Sequence, residues 1–163
     1  MTSEVIDGMS GFRDPAITVE ALSRRTQERT MMTIHSSPLL RQALVADATT
    51  SAAFGLLMLI GAGPVSGILG LPEMLLRISG LVLLPYAGFI GWLGVRETIG
   101  KPIAWAVVLG NALWAADSIL LLVSGWVAPT SAGTAFVVGQ ALVVLMYAEF
   151  QYVGLRRSAE AMA

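Results

Sequence analysis

Residues 39–62 read LLRQALVADATTSAAFGLLMLIGA, and this stretch decides the class of the protein. It is longer than the ~20 residues that an α-helix needs to cross ~30 Å of hydrocarbon. Three further apolar stretches follow, at about residues 72–95, 102–127 and 131–155. The composition agrees, because 55% of the residues are hydrophobic and 13% are charged. The sequence therefore predicts an all-α, polytopic membrane protein with four transmembrane helices.

The four spans leave little of the chain outside the membrane. We expect a polar N-terminal tail at residues 1–37, a four-transmembrane-helix domain at residues 38–157 and a C-terminal tail at residues 158–163. Asp14-Pro15 favours a short helix in the first tail, because proline suits the first helical turn. Residues 31–35 read MMTIH and resemble a natural protein start, so translation from Met31 or Met32 is an alternative to Met1.

Basic residues near the ends of the spans predict the orientation of the bundle. Lys and Arg in short loops remain cytoplasmic. The links at residues 63–71 and 128–130 contain neither residue type, so all the basic markers fall on one side. Because short links place consecutive helices side by side, we expect an up-down four-helix bundle with both termini in the cytoplasm. The markers are Arg41, Arg96, Lys101, Arg156 and Arg157.

The second and fourth spans end in similar sequences. Residues 80–96 read GLVLLPYAGFIGWLGVR and residues 140–156 read QALVVLMYAEFQYVGLR. Asp47 in the first span and Asn111 in the third each stand 14 residues before a glycine. One interpretation is a duplicated two-helix hairpin, related by an axis along the membrane normal. The alternative is chance similarity between apolar segments that share an aromatic and arginine anchor at the interface.

Two charged residues inside the spans, Arg77 and Asp117, are expected at similar depths in the outer leaflet. Intramembrane charges cost roughly 2.5–3.5 kcal/mol each on insertion scales and usually face the bundle interior with a partner. The sequence therefore predicts an Arg77–Asp117 ion pair between the second and third spans. The pair is either a gate or substrate site, or a clasp that fixes helix register.

Two acidic residues, Asp47 and Glu149, are expected at one depth near the cytoplasmic side. The first and last helices of a closed bundle are adjacent, so these carboxyl groups would share a site suited to a proton or a cation. The alternative is that Asp47 extends towards Arg41 at the interface while Glu149 pairs with Arg156.

Neutral polar residues line one side of the third and fourth spans. Asn111, Trp114 and Ser118 are spaced by three and four residues, and Gln140 and Gln151 share a face of the fourth span. Side chains at this spacing most often form hydrogen bonds between helices, so Asn111 and Gln140 complete the set of candidate intramembrane polar residues.

Several functional classes lack support in this sequence. The chain has no cysteine and one histidine, His35, which precedes the first span, so thiolate and histidine metal sites are not expected. A net charge of −1 gives no electrostatic basis for binding nucleic acid. No catalytic triad, phosphate loop or cofactor motif is present. We expect no enzymatic activity, no metal and no cofactor.

Three segments resemble a group of small bacterial four-helix integral membrane proteins to which no activity is attached. They are LLRQALVADA from Leu39, LPEMLLRISGLVLLPYAGF from Leu71 and NALWAADSILLLVSGWVAPT from Asn111. The resemblance extends over about residues 32–157 and implies a fold and a location in the bacterial inner membrane. Because no catalytic signature is present, we expect an accessory, assembly or scaffold subunit. A four-helix bundle has limited interior volume, so we also expect a homo-oligomer or docking to a larger membrane complex.

The alternative function is a small proton- or cation-coupled transporter that uses Asp47 and Glu149. The overall plan is similar to that of the small multidrug exporters, which have four helices and a membrane-embedded carboxylate in the first. Those proteins use glutamate at that position, are shorter and dimerise to form the pathway. Only the acidic residue at Asp47 therefore corresponds.

Overall fold

The computed structural model describes residues 19–20, 23–24 and 33–160, without the side chains of 159–160. The chain divides into two compact units, Met1–Thr33 and Ile34–Ala163. Residues 19–20 and 23–24 are helical, and Arg24 forms an exposed ion pair with Glu20 at 2.7 Å. The described residues do not include Met1, Met31 or Met32, the alternative sites of translation initiation. They also do not include residues 161–163 of the predicted C-terminal tail.

Four helices within residues 33–160 are long and apolar enough to cross a membrane, which confirms the predicted number of spans. These candidate spans are Pro38–Ile60, Glu73–Gly94, Lys101–Val123 and Ser131–Ser158. The element order is β1 (Thr33–His35), α1 (Pro38–Ile60), α2 (Ala62–Leu69), α3 (Glu73–Gly94), β2 (Thr98–Gly100), α4 (Lys101–Val123) and α5 (Ser131–Glu160).

The structure differs from the sequence prediction in the links between spans. The link predicted at residues 63–71 contains the short helix α2, where Pro64 lies in the first turn and Gly70, at φ 65°, ends the helix. The third span ends at Val123 rather than 127, shortly before Gly125 adopts a φ of 75°. The helix of the fourth span continues to Glu160, with Arg157 in the last turn, where the helix dipole favours a cation.

Two strands of three residues each, β1 and β2, were not predicted. They pair with each other, and the Ser36 amide beyond β1 donates to the Glu97 carbonyl at 2.8 Å. Their buried residues Ile34 and Ile99 join an apolar cluster with Leu40 and Ile90. The short sheet therefore closes one end of the bundle.

A serine cap fixes the start of α1. The Ser37 hydroxyl accepts a hydrogen bond from the Leu40 amide at 3.3 Å and donates one to the Gly154 carbonyl at 2.8 Å. The Ser37 amide donates to the Ser158 hydroxyl at 2.9 Å. Ser and Pro at these positions are typical of a helix N-terminus. The same side chain therefore begins α1 and attaches it to the end of α5.

The four long helices pack in the order α3, α1, α5, α4 around the bundle. Close backbone packing joins α1 to α3 and α5, and α4 to α5, whereas α3 and α4 make few close backbone contacts. The first and last spans are adjacent, as expected. Glycine permits close contact between α1 and α3, since a methyl group at Gly80 would lie 2.6 Å from the Gly55 carbonyl oxygen.

Two apolar clusters fill the interior. One contains Leu40, Leu44 and Leu93 near the two strands, and the other contains Met58 and Leu76 near α2. Along α1, the polar part of the interior lies between these clusters and includes Asp47 and Ser51. Apolar packing on either side therefore encloses a polar layer.

Candidate functional site

The carboxylate of Asp47 lies at the centre of the polar layer and is 1% exposed. Its Oδ1 accepts a hydrogen bond from the Ser51 hydroxyl at 3.0 Å, one turn further along α1. Its Oδ2 accepts from the Asn111 amide at 2.7 Å and from the Gln151 amide at 2.8 Å. Among the described residues, no Lys, Arg or His forms an ion pair with it. Three neutral donors therefore surround a buried acid.

Asn111 links three of the helices to α4. Its Nδ2 donates to Asp47 on α1 and to the Gln151 Oε1 on α5 at 3.0 Å, while its Oδ1 accepts from the Tyr86 hydroxyl on α3 at 2.7 Å. Asn111 and Gln151 are 3% and 0% exposed. Because buried polar groups without partners are unfavourable, each of these bonds constrains the register of two helices. We call Asp47, Ser51, Tyr86, Asn111 and Gln151 the central network.

A second set of hydrogen bonds follows the central network along α4 and α5. The Gln140 Oε1 accepts from the Trp114 indole at 3.1 Å, and the Gln140 Nε2 donates to the Ser118 hydroxyl at 2.7 Å. Thr50 on α1 and Tyr147 on α5 are joined through their hydroxyl groups at 2.8 Å. The Gln140 bonds therefore join α4 to α5, and the bond between the two hydroxyl groups joins α1 to α5.

Small cavities adjoin the central network. A cavity of about 150 Å³ lies between α3 and α4, lined by Val82, Tyr86, Gly110, Asn111 and Trp114 among others. Another of about 20 Å³ includes Asp47 in its lining and shares Trp114 with the first. The larger cavity lies where α3 and α4 make few close backbone contacts. Its volume suits a few water molecules or one small ligand.

The predicted ion pair between Arg77 and Asp117 is wrong. Arg77 donates to the Glu73 carboxylate at 2.7 and 2.9 Å and to the Leu59 carbonyl at 3.1 Å. Glu73 lies one turn before Arg77 on the same helix, which makes this partner the easiest to reach. Asp117 is exposed on α4, and no described residue forms a hydrogen bond or ion pair with it.

The predicted shared site of Asp47 and Glu149 is also wrong. Asp47 faces the interior, whereas Glu149 is exposed on α5, and it is Gln151 that reaches the Asp47 carboxylate. Two residues correspond to about 200° of rotation around an α-helix, so these two side chains lie on opposite sides of α5. Asp47 does not extend to Arg41 either, because Arg41 donates to the Gly94 carbonyl at 3.3 Å. Glu149 has no hydrogen bond or ion pair with the described residues.

Three members of the central network were absent from the predicted set of site residues. Ser51 follows Asp47 by four residues, and Gln151 follows Tyr147 by four, which places each on the same helix face as a polar neighbour. Those spacings were the features of the sequence that could have indicated Ser51 and Gln151 as members of the site. The signal at Tyr86 was its recurrence as Tyr147 in the similar sequences of the second and fourth spans.

The described residues include no group of three or more His, Asp or Glu side chains placed to hold a metal ion. Comparison of the chain with protein families, with curated proteins and with solved structures gave no match.

Proposed function

We propose that this protein is an accessory, assembly or scaffold subunit of the bacterial inner membrane, with no catalytic step of its own. In this proposal the four spans form an up-down bundle with both termini in the cytoplasm, since the basic span-end residues then all lie on that side. The bundle holds its shape through the central network and presents its outer surface to partner membrane helices.

The scaffold role is supported by how completely the interior polar groups bond to one another. In the central network, Asn111 on α4 and Gln151 on α5 donate to the Asp47 carboxylate on α1, and Tyr86 on α3 donates to the Asn111 amide oxygen. A shift of any one helix along its axis would separate these donors from their acceptors and leave buried polar groups without hydrogen bonds. Alternative helix registers are therefore unfavourable. A bundle fixed in this way is suited to presenting a constant surface.

The observation that carries the docking role is the position of Asp117. Its side chain is exposed on α4 beside Leu113, which is 64% exposed, and Leu120, which is 60% exposed. A charge within a span is unfavourable unless it has a partner, and the described residues supply none. A partner helix with a Lys or Arg at this depth would satisfy the carboxylate. Glu149 presents the same requirement on α5.

Co-purification in mild detergent tests the docking role. We expect the native chain to retain a stoichiometric membrane partner, and the Asp117→Asn variant to lose most of it. Glu73→Gln is the matched control, because it removes one carboxylate that is already paired within the chain. Equal retention by the native chain and the Asp117→Asn variant would refute docking through this residue.

We also propose that the two hairpins arose by duplication. The corresponding residues Asp47 and Asn111 bond to each other. Tyr86 and Tyr147, which occur in the similar sequences of the second and fourth spans, each bond to the first helix of the other hairpin, at Asn111 and Thr50. The variant Asn111→Asp should destabilise the fold by placing two carboxylates together, and adding Asp47→Asn should restore it. A double exchange less stable than the single variant would contradict the proposed equivalence.

A small proton- or cation-coupled transporter is the second candidate function. It is favoured by one observation, that Asp47 is buried without a cationic partner beside cavities of about 20 and 150 Å³. Vesicles containing the purified protein would then show proton-dependent uptake that Asp47→Asn abolishes. Uptake that is equal in protein-containing and empty vesicles across small organic cations would reject this candidate.

A further inference from the structure

A cleft of about 540 Å³ lies where α1 begins and α3 ends. Its lining combines polar groups from the start of α1 with apolar groups from both helices. Val45 and Val95 are 43% and 64% exposed, so the apolar part of the lining continues onto the outer surface of the bundle. The lining includes Ser36, Arg41, Gln42, Val45, Ala46 and Val95.

The polar part of this cleft carries one positive side chain, Arg41. Arg41 lies in the first turn of α1, and that turn contains no acidic residue. The N-terminal end of a helix is already positive, so a cation there is opposite to the arrangement that the helix dipole favours. A bound anion would relieve this unfavourable arrangement.

The side chain of Arg41 is held in place but not neutralised. Its Nε donates to the Gly94 carbonyl at 3.3 Å, and no carboxylate of the described residues lies within ion-pair distance. The Ser36 hydroxyl in the same lining is buried and has no hydrogen-bond partner among the described residues. Glu97 contacts Ser36 through its backbone carbonyl, and its side chain is exposed. The cleft therefore contains a fixed guanidinium and an unsatisfied hydroxyl.

The depth of the cleft matches the lipid headgroup region. Arg41 is near the first residue of a predicted span, and Val95 directly follows the last residue of another. Next to Val95, the Arg96 guanidinium lies 4.4 Å from the centre of the Trp92 ring. Tryptophan and arginine at the end of a span are typical of the membrane–water interface.

We propose that this cleft binds an anionic phospholipid, with the phosphate at Arg41 and an acyl chain along Val45 and Val95. Guanidinium groups bind phosphate through charge-assisted hydrogen bonds, and basic pockets between transmembrane helices bind anionic headgroups. A lipid is favoured over free phosphate because the cleft opens onto the apolar outer surface. This site does not depend on the proposed docking through Asp117.

Lipid titration by native mass spectrometry tests the site. The purified chain is titrated with phosphatidylglycerol and, in parallel, with phosphatidylcholine of the same acyl composition. We expect tighter binding of phosphatidylglycerol, and a loss of about tenfold or more in the Arg41→Gln variant, the effect of removing a charge-assisted contact. Arg157→Gln is the matched control, because it removes an exposed positive charge at the end of α5 and should leave binding unchanged.

A second variant keeps the test decisive if Arg41→Gln fails to fold. Ala46→Trp fills the cleft from its exposed lining without touching the charge, and it should weaken binding to a similar extent. Equal losses in Arg157→Gln and Arg41→Gln would overturn the proposal, since binding would then reflect general attraction between charges. Binding of phosphatidylcholine as tight as that of phosphatidylglycerol would overturn it as well. Displacement of the lipid by millimolar inorganic phosphate would identify free phosphate as the ligand and reject the lipid.

Discussion

Substituting Asn111 by leucine should destabilise the bundle more than any other single change in the central network except loss of the acid itself. The change removes three hydrogen bonds, to Asp47, Gln151 and Tyr86. Interhelical hydrogen bonds in membranes contribute about 0.6 kcal/mol each. The Tyr86 hydroxyl also loses its partner, which adds about 1 kcal/mol. We therefore expect the free energy of unfolding to fall by about 2–3 kcal/mol.

Unfolding in mixed micelles with increasing dodecyl sulfate, followed by tryptophan fluorescence, measures this change. Leu109→Ala is the control, because that side chain is 55% exposed on the same helix and should alter stability by less than about 0.5 kcal/mol. A double-mutant cycle then isolates one bond. Tyr86→Phe should cost about 1 kcal/mol alone. In the Asn111→Leu background it should recover about 1 kcal/mol, because it removes the hydroxyl that was left without a partner. An Asn111→Leu variant as stable as Leu109→Ala would refute the view that this network holds the helices in register.

Three further predictions concern packing, the second set of hydrogen bonds and the exposed acid. Gly80→Ala should lower the free energy of unfolding by roughly 1–3 kcal/mol in the same assay, because the new methyl group meets backbone atoms of α1 at 2.6 and 2.8 Å. Gly88→Ala on the same helix is the control, since its methyl group meets nothing within 4 Å and should be tolerated. Gln140→Leu should remove the hydrogen-bond acceptor of the Trp114 indole and shift its fluorescence emission to shorter wavelength. The emission spectrum of the Trp114→Phe variant identifies the contribution of this tryptophan. Asp117→Asn should leave the stability of the isolated chain unchanged, and a loss above about 1 kcal/mol would reveal a partner within the chain.

The class of the protein and the number of spans followed from the sequence alone. Four long apolar stretches such as residues 39–62 can satisfy their backbone hydrogen bonds in a membrane only as helices. The spacing of Asn111, Trp114 and Ser118 along one face likewise predicted hydrogen bonds between helices, although it did not indicate which helix holds the partners. Both features are local, since they depend on the length and periodicity of single segments.

The partners of the charged side chains were decided by the tertiary structure. The expected depths in the membrane placed Arg77 opposite Asp117. Depth does not determine the direction in which a side chain leaves its helix, however, and Arg77 pairs with Glu73 on its own helix instead. Likewise, Asp47 and Glu149 occupy similar depths, yet a difference of two positions on α5 gives Gln151 the interior contact and leaves Glu149 outside. Segment length fixes how many helices cross the membrane, whereas the rotation of each helix about its axis depends on packing with all the others.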